Sequence, residues 1–530
     1  MSADALWIIA MTVALLGGIL SGLPVIVVIS GVPLLFALVA GAFAQFDLVL
    51  LQAIPLRVFG IMENALLIAV PLFVLVGVLL ERSRQAERML ASISRFLGGA
   101  PGALVAAVLV ISTLVAASTG VIGATVIMLG MIALPALLNA GVDDKTASGL
   151  VCASGTLGQI IPPSIVLILL GDQVSNAYIE AQQAAGNFAP DPVTVGDLFA
   201  GALVPGLCLV VLYGLYAIVR VTFFGARAVP RPQPLSASVP TGSPVALADG
   251  LWRIAVDALP TLALIVAVLG SILVGIATPT EAAAVGVAGT LLIAASANDR
   301  RLRLPGLLTA GCALCLFAVT RFGLIDVAFA TGALSLTPAT IFVLALIVAV
   351  GIGLGMAAVS LVRGGVLVPA LFETLIITGM IFGIIVAASI LALIFRGFEG
   401  DRLVADFLTS IPGGVIGMLV LTMAVIFVLG FILEFVEIIF IVIPIVGPVI
   451  LQTGIDPVWF AVLVALNLQT SFLTPPFGFA LFYFRSVAPR HISTGRIFRA
   501  VIPFIAIQLV VLGMVAAYPP LATWLPEALF

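Results

Sequence analysis

The chain has 530 residues, of which 63% are apolar and 8% charged, with a net charge of −3. An ordinary soluble domain carries roughly 25% charged residues, so no soluble surface can be built from this composition. The charge is spread thinly with no basic block, which excludes a nucleic-acid footprint.

From the N-terminus, the apolar run 6–20 passes through Gly and Pro directly into 25–43, so it reads as a first membrane helix and not as a cleaved signal peptide. Candidate membrane segments follow near 5–24, 25–46, 58–80, 102–140, 147–171, 197–219, 254–276, 280–296, 305–331, 337–361, 367–396, 413–450, 458–484 and 500–519. Runs of 18 or more apolar residues match the length needed to cross ~30 Å of hydrocarbon. The reading is an all-α polytopic membrane protein with ten to fourteen passes. The connector 221–252, with Pro230, Pro232, Pro234, Pro240 and Pro244, reads as a flexible link between two halves.

Two runs, 102–140 and 413–450, are too long for one span and too short for two, so each is expected to be a discontinuous helix. Segments 58–80 and 367–396 hold polar or small residues at their centres and are expected to turn inside the membrane as re-entrant hairpins, with Asn64 at one tip and Thr374 and Thr378 at the other. Counting crossings puts Arg220/Arg227/Arg231, Arg300/Arg301/Arg303 and Arg485/Arg490/Arg496/Arg499 on one face, which the positive-inside rule makes cytoplasmic, and Arg82/Arg84/Arg88/Arg95 on the other. Arg321 and Asp326 are expected to pair or snorkel near an interface.

An internal repeat stands at an offset of 313: Pro135 and Pro448, Gly141 and Gly454, Asp143 and Asp456, and Pro162-Pro163 and Pro475-Pro476. Seven crossings separate equivalent ends, an odd number, so one copy is expected to be inverted against the other. Inverted repeats with broken helices at the midplane are the architecture of secondary transporters.

The polar residues inside the repeat are candidates for the chemistry. Ser118, Thr119, Gly120 and Thr125 centre the first long run; they either unwind backbone carbonyls toward a hard cation such as sodium or simply allow close helix packing. Glu434 and Glu437 occupy the matching stretch of the second run. Intramembrane carboxylates cost roughly 2.5–3.5 kcal/mol on insertion scales, which argues for function. Thr156, Gln159, Pro162 and Ser164 surround one Pro-Pro pair, and Gln469, Thr470, Ser471 and Thr474 precede the other. Two consecutive prolines free carbonyls one turn earlier, for an ion, for a neighbouring hydroxyl, or as a plain kink. Sodium is expected near Ser118, Gly120 and Thr474 through carbonyl and hydroxyl oxygens, and no other cofactor is expected. Four cysteines in apolar segments and the single His491 leave metal hydrolysis and His-based catalysis without a residue set, so no enzyme is expected, and the absence of a GxxxxGK[ST] loop argues against ATP as energy source.

At these residues the chain resembles the large, DctM-like membrane subunit of tripartite ATP-independent periplasmic (TRAP) transporters. The resemblance rests on AVPLFVLVGVLL (69–80), STGVIGAT (118–125), GTLGQIIPPSIVLILLGD (155–172), GIATPTEAAAVG (275–286) and NLQTSFLTPPFGFALF (467–482). It implies an elevator-type, sodium-coupled importer of a small organic acid in a bacterial inner membrane. It further implies a soluble periplasmic binding protein and a small four-helix Q subunit, expected as a separate chain. The chain departs from the family pattern in a two-helix insertion near 305–361, a long 172–196 connector, and Ser-Thr-Gly where a Ser-Gly-Ser-type cluster is common. The organisation expected is scaffold helices in 1–57, a first repeat in 58–219, linker and scaffold in 220–304, the insertion in 305–361, and a second repeat in 362–530. The repeat cores should form one mobile body. Two other readings fit the same composition: a stand-alone sodium/dicarboxylate symporter, and a polytopic membrane enzyme or scaffold.

Overall fold

A computed structural model describes residues 3–83, 85–96, 100–120, 122–224, 247–321 and 338–530. The chain opens with α1 (Ala3–Leu20) and α2 (Val25–Ala42), then a short arm, α3 (Ile54–Glu63), that breaks at Asn64 before α4 (Ala69–Arg82). The strongly amphipathic α5 (Gln85–Phe96) leads into α6 (Pro101–Thr119), α7 (Ile122–Asn139), α8 (Asp144–Thr156), α9 (Ile165–Ala184) and α10 (Val195–Phe224). Next come α11 (Leu247–Leu273), α12 (Pro279–Asn298), α13 (Arg303–Arg321) and α14 (Pro338–Arg363). The remaining elements are α15 (Leu367–Gly397), α16 (Gly400–Thr409), α17 (Gly414–Leu429), α18 (Phe435–Leu451), α19 (Pro457–Leu473), α20 (Phe479–Val487), α21 (Thr494–Ala517) and α22 (Pro520–Leu529). Among the described residues, eight helices are long and apolar enough to cross a membrane, and further shorter apolar helices accompany them. The protein is therefore a multi-pass, all-α membrane protein.

The 313-residue offset recurs in the elements themselves. The first residues of α6, α7 and α8 are Pro101, Ile122 and Asp144; those of α17, α18 and α19, each 313 positions later, are Gly414, Phe435 and Pro457. The local cause is repeated too. Asp143 accepts a hydrogen bond from the Thr146 amide at 3.1 Å, and Asp456 accepts one from the Trp459 amide at 2.7 Å, so a side-chain cap starts α8 and α19 alike. The chain reaches each cap through a glycine in the left-handed region, Gly141 at φ +86° and Gly454 at φ +84°.

The runs 101–139 and 414–451 differ from the expected discontinuous spans, because each folds back on itself. Ala116, late in α6, lies against Gly158 beyond the end of α8, while Gly102 faces Thr222 near the end of α10. Helix α7 then returns antiparallel to α8, with Val126 against Gly155. In the second copy Asn467 of α19 donates to the Met423 carbonyl of α17 at 2.7 Å, and Gly430 sits on Ser471, so α17 and α19 run in parallel and α18 returns. The tips are Ser118–Gly120, where Gly120 turns at φ +62°, and 430–434.

A second correction concerns 367–396. It is no hairpin but all except the last residue of α15, 31 residues without a break, about 46 Å long. No proline lies inside it after the first turn, and Thr374 returns its hydroxyl to the Ala370 carbonyl at 2.8 Å within the helix. Thr374 and Thr378 are therefore helix-interior residues and not tip residues. In 58–80, where a hairpin tip at Asn64 is expected, the structure shows a break at Asn64 between α3 and α4.

The arginine clusters give a third correction. Arg88 donates to the Ala297 carbonyl at 2.7 Å, at the end of α12 where Arg300–Leu302 begins. Helix α5 also packs on α6, whose first turn faces Thr222 beside Arg220. Arg496 reaches Asp144 at 3.7 Å. Arg82 and Arg88 thus share the face of the other clusters, because the fold-back of 101–139 changes the crossing count. Arg84, Arg227, Arg231, Asp326 and the side chains of Arg95 and Arg321 lie outside the described residues, as does 225–246 of the linker. The pair α13 and α14 packs on itself and on α12.

Candidate functional site

Helix α10 measures the site along its length of about 45 Å. Gly201, near its start, lies against Val458 in the first turn of α19; Gly206 lies against Ile161; Gly214 and Thr222 lie against Leu109 and Gly102 of α6. Asp143 stands within electrostatic reach of Tyr216, toward the far end. Asp143 and Asp456 consequently lie toward opposite ends of α10, with the break at Ile161 between them.

At mid-depth both long helices break. Between α8 and α9 the chain runs as a 3-10 turn, Leu157–Gln159, then through Pro162-Pro163 to Ser164; between α19 and α20 it runs through Thr474 and Pro475-Pro476. Both Pro-Pro bonds are cis. The freed carbonyls meet nearby hydroxyls: Ser164 donates to the Gln159 carbonyl at 2.9 Å and Thr474 to the Thr470 carbonyl at 2.7 Å. Thr470 and Ser471 back-bond within α19, to Leu466 and Leu468.

At the breaks the two copies meet in a buried polar contact. Gln469 Nε2 donates to Thr156 Oγ1 at 3.3 Å, and the Thr156 hydroxyl donates to the Ala153 carbonyl at 2.8 Å. Several polar atoms of these elements are buried without a protein partner: both amide atoms of Gln159, which is 0% exposed, the Oε1 of Gln469, and, in the first turn of α18, the Oε2 of Glu437. Thr125 is buried in the first turn of α7. The first tip closes on this region through Gly120, where an added Cβ would lie 3.1 Å from Ile165 at the start of α9. The second closes through Glu434, the residue before α18, which lies within electrostatic reach of Tyr483 of α20 and of Glu437. Tyr483 in turn packs its ring on Gly123, just past the first tip.

The sequence-derived candidates therefore divide. Gly120, Thr125, Thr156, Gln159, Pro162, Ser164, Gln469, Thr470, Ser471, Thr474, Glu434 and Glu437 fall on the tips and breaks. The side chains of Ser118 and Thr119, on the first tip, lie outside the described residues. Thr374 and Thr378 sit in α15, and Asn64 bonds instead to Asp172 of α9. Sequence reasoning missed Tyr483 and Asp172. A lone carboxylate after the apolar run 165–171 was the available signal for Asp172.

This arrangement assembles amide, hydroxyl and carboxyl oxygens and the N-termini of α7, α9, α18 and α20 at a buried midpoint. Such a midpoint suits transient binding of a small ion or polar solute. The family model described as "Tripartite ATP-independent periplasmic transporter, DctM component" matches residues 8–337 and 312–521. The C4-dicarboxylate TRAP transporter large permease protein DctM of Vibrio cholerae is 28% identical over 464 residues, 87% of this chain and 86% of that protein. The isethionate TRAP transporter permease protein DctMQ of Oleidesulfovibrio alaskensis is 24% identical over 507 residues, 95% of this chain and 65% of that protein. Among solved structures, the YdaH transporter of Alcanivorax borkumensis has a similar fold, with a TM-score of 0.52, 15% identity and 89% of each chain covered. The chain belongs to the DctM family: it is a TRAP transporter large permease subunit and not an enzyme.

Proposed function

We propose that this chain moves a small organic acid across the bacterial inner membrane by sodium-coupled elevator transport. In this reading the two halves are an inverted repeat. Their hairpins α6–α7 and α17–α18 are re-entrant, and with the broken helices α8–α9 and α19–α20 they form one mobile body. The N-terminal helices and α11–α12 are the scaffold.

The observation that carries the reading is the buried meeting of the two repeats at Thr156 and Gln469, together with buried polar atoms of Gln159, Gln469 and Glu437 that have no protein partner. Unpartnered polar groups cost several kcal/mol in hydrocarbon, so a bound solute, ion or water is the physical reason to keep them there. Carbonyl and hydroxyl oxygens near Ser118, Gly120 and Thr474 suit sodium. The N-terminal ends of α9 and α20, aimed at the breaks, suit a carboxylate. The arginine-rich face is cytoplasmic by the positive-inside rule.

A separate four-helix Q subunit and a periplasmic binding protein complete the transporter. A relative named DctMQ, of which this chain spans only 65%, supports the Q partner.

The test is reconstitution of this chain with its Q-type subunit in liposomes, with the binding protein and labelled succinate as the first probe. Uptake should follow an inward sodium gradient, stop when potassium replaces sodium, and ignore ATP. Robust uptake driven by protons in sodium-free vesicles overturns the coupling.

A further inference from the structure

Helix α9 carries one carboxylate within its deeply buried stretch, Asp172, which is 8% exposed and follows a continuous apolar run. Its two oxygens are held by two amides. Asn64 Nδ2 donates to Oδ1 at 2.9 Å and Gln173 Nε2 donates to Oδ2 at 2.8 Å. Gln173 is its own neighbour on α9, but Asn64 comes from the break between α3 and α4, outside the hairpins and broken helices of the proposed mobile body.

Asn64 has little freedom in how it makes this bond. Its Oδ1 accepts the Leu66 amide at 3.0 Å, capping the short turn Ala65–Ile68, so its Nδ2 is the end left to face Asp172. The turn is anchored in its surroundings, because Thr280 at the start of α12 donates to the Ala65 carbonyl at 3.0 Å. Two turns along α9 from Asp172, Glu180 pairs with Arg396 of α15 at 2.7 Å, but at a half-exposed position where solvent weakens the pair. The buried contact between α9 and the α3–α4 break is thus a charge-assisted hydrogen bond that any sliding of α9 past α3 and α4 must break.

We propose that Asn64 and Asp172 form a latch between scaffold and mobile body, a positioning pair whose hydrogen bond favours the conformation seen here over the other end of the transport cycle. The proposal rests on the elevator reading given above. A hydrogen bond to a carboxylate is strong enough to shift a two-state ratio by roughly tenfold when it is lost. Asn64→Asp is nearly isosteric and keeps the acceptor that caps the turn, but it sets a carboxylate against Asp172. Asn64→Asp combined with Asp172→Asn rebuilds the bond with its donor and acceptor exchanged.

The experiment places spin labels at Leu56 of α3 and Gln183 of α9, both exposed, in the full chain in nanodiscs, and reads the distance distribution by pulsed electron resonance with and without sodium. The native chain should show two distances, with that of the present structure dominant. Asn64→Asp and Asp172→Val should each move the ratio roughly tenfold toward the second distance, and the exchanged pair should restore it. Two distances whose ratio ignores Asn64→Asp, or an exchanged pair no better than Asn64→Asp alone, overturn the latch and leave the elevator standing. A single distance in every variant and condition overturns both. Melting temperatures on the same samples separate a latch from a folding defect: a variant that melts early and is not rescued by the exchange counts against the latch.

Discussion

Thr156 and Gln469 lie 313 residues apart, the offset of the internal repeat, and they are hydrogen-bonded to each other at 3.3 Å. A residue that bonds to its own repeat equivalent marks where the axis relating the two copies passes. That the residues differ in type makes the contact asymmetric, with the amide as donor and the hydroxyl as acceptor.

Thr156→Val and Gln469→Met each remove one partner while nearly keeping volume. Each should lower stability by about 1 kcal/mol, and the double variant should be less destabilised than the sum, since the second change has no bond left to remove. Melting temperatures across the four-member cycle measure the coupling. Strict additivity would mean the bond contributes nothing.

Gly158 is expected to tolerate no side chain. A Cβ there would lie 2.5 Å from the Ala116 carbonyl oxygen, which is helix backbone and cannot move aside. Gly158→Ala should destabilise by about 1–3 kcal/mol and pry the first tip from the break. Gly60→Ala is the control, because a Cβ there meets nothing within 4 Å. Equal melting of the two variants would reject the close packing.

Gly120→Ala probes the tip itself. At φ +62°, with Ile165 3.1 Å from the added carbon, alanine should cost about 1–2 kcal/mol and slow uptake more than it lowers melting temperature. Proteoliposome uptake and melting on one sample compare the two. Unimpaired uptake would remove the tip from the site.

Glu434→Gln and Glu437→Gln test function against structure. Neutralising a buried carboxylate relieves an insertion cost of roughly 2.5–3.5 kcal/mol, so a chain that uses these groups only structurally should be at least as stable and transport normally. A functional role gives a stable protein that transports poorly or needs more sodium. The same readout applies to Ser118→Ala, Thr119→Val and Thr125→Val. Unchanged half-maximal sodium in all five variants would strike these residues from the site.

Asp143→Ala and Asp456→Ala remove equivalent caps. Each should cost about 1 kcal/mol, because each deletes one acceptor for an otherwise orphaned helix amide. A difference beyond twofold between them would mean that the two copies do not use the cap alike.

The recurrence at an offset of 313 was legible in the sequence because its markers act locally. A glycine at positive φ, an aspartate three residues before the amide it caps, and a Pro-Pro pair impose their geometry wherever they stand, so Gly141, Asp143 and Pro162-Pro163 announced Gly454, Asp456 and Pro475-Pro476. Membrane residence was legible for a similar reason: composition alone decides whether a surface can face water. The path of each long apolar run was not legible. The run 101–139 is apolar on all sides, so nothing in its pattern distinguishes a helix that continues from one that turns back at Gly120, and the run 367–397 with its mid-segment threonines stays straight. Only packing decides that, through contacts such as Ala116 on Gly158 and Gly102 facing Thr222. The partner of Asn64 was equally out of reach. A side chain's local cap can be read from its neighbours, but Asp172 lies 108 residues away, and only the folded chain brings that carboxylate to the remaining amide.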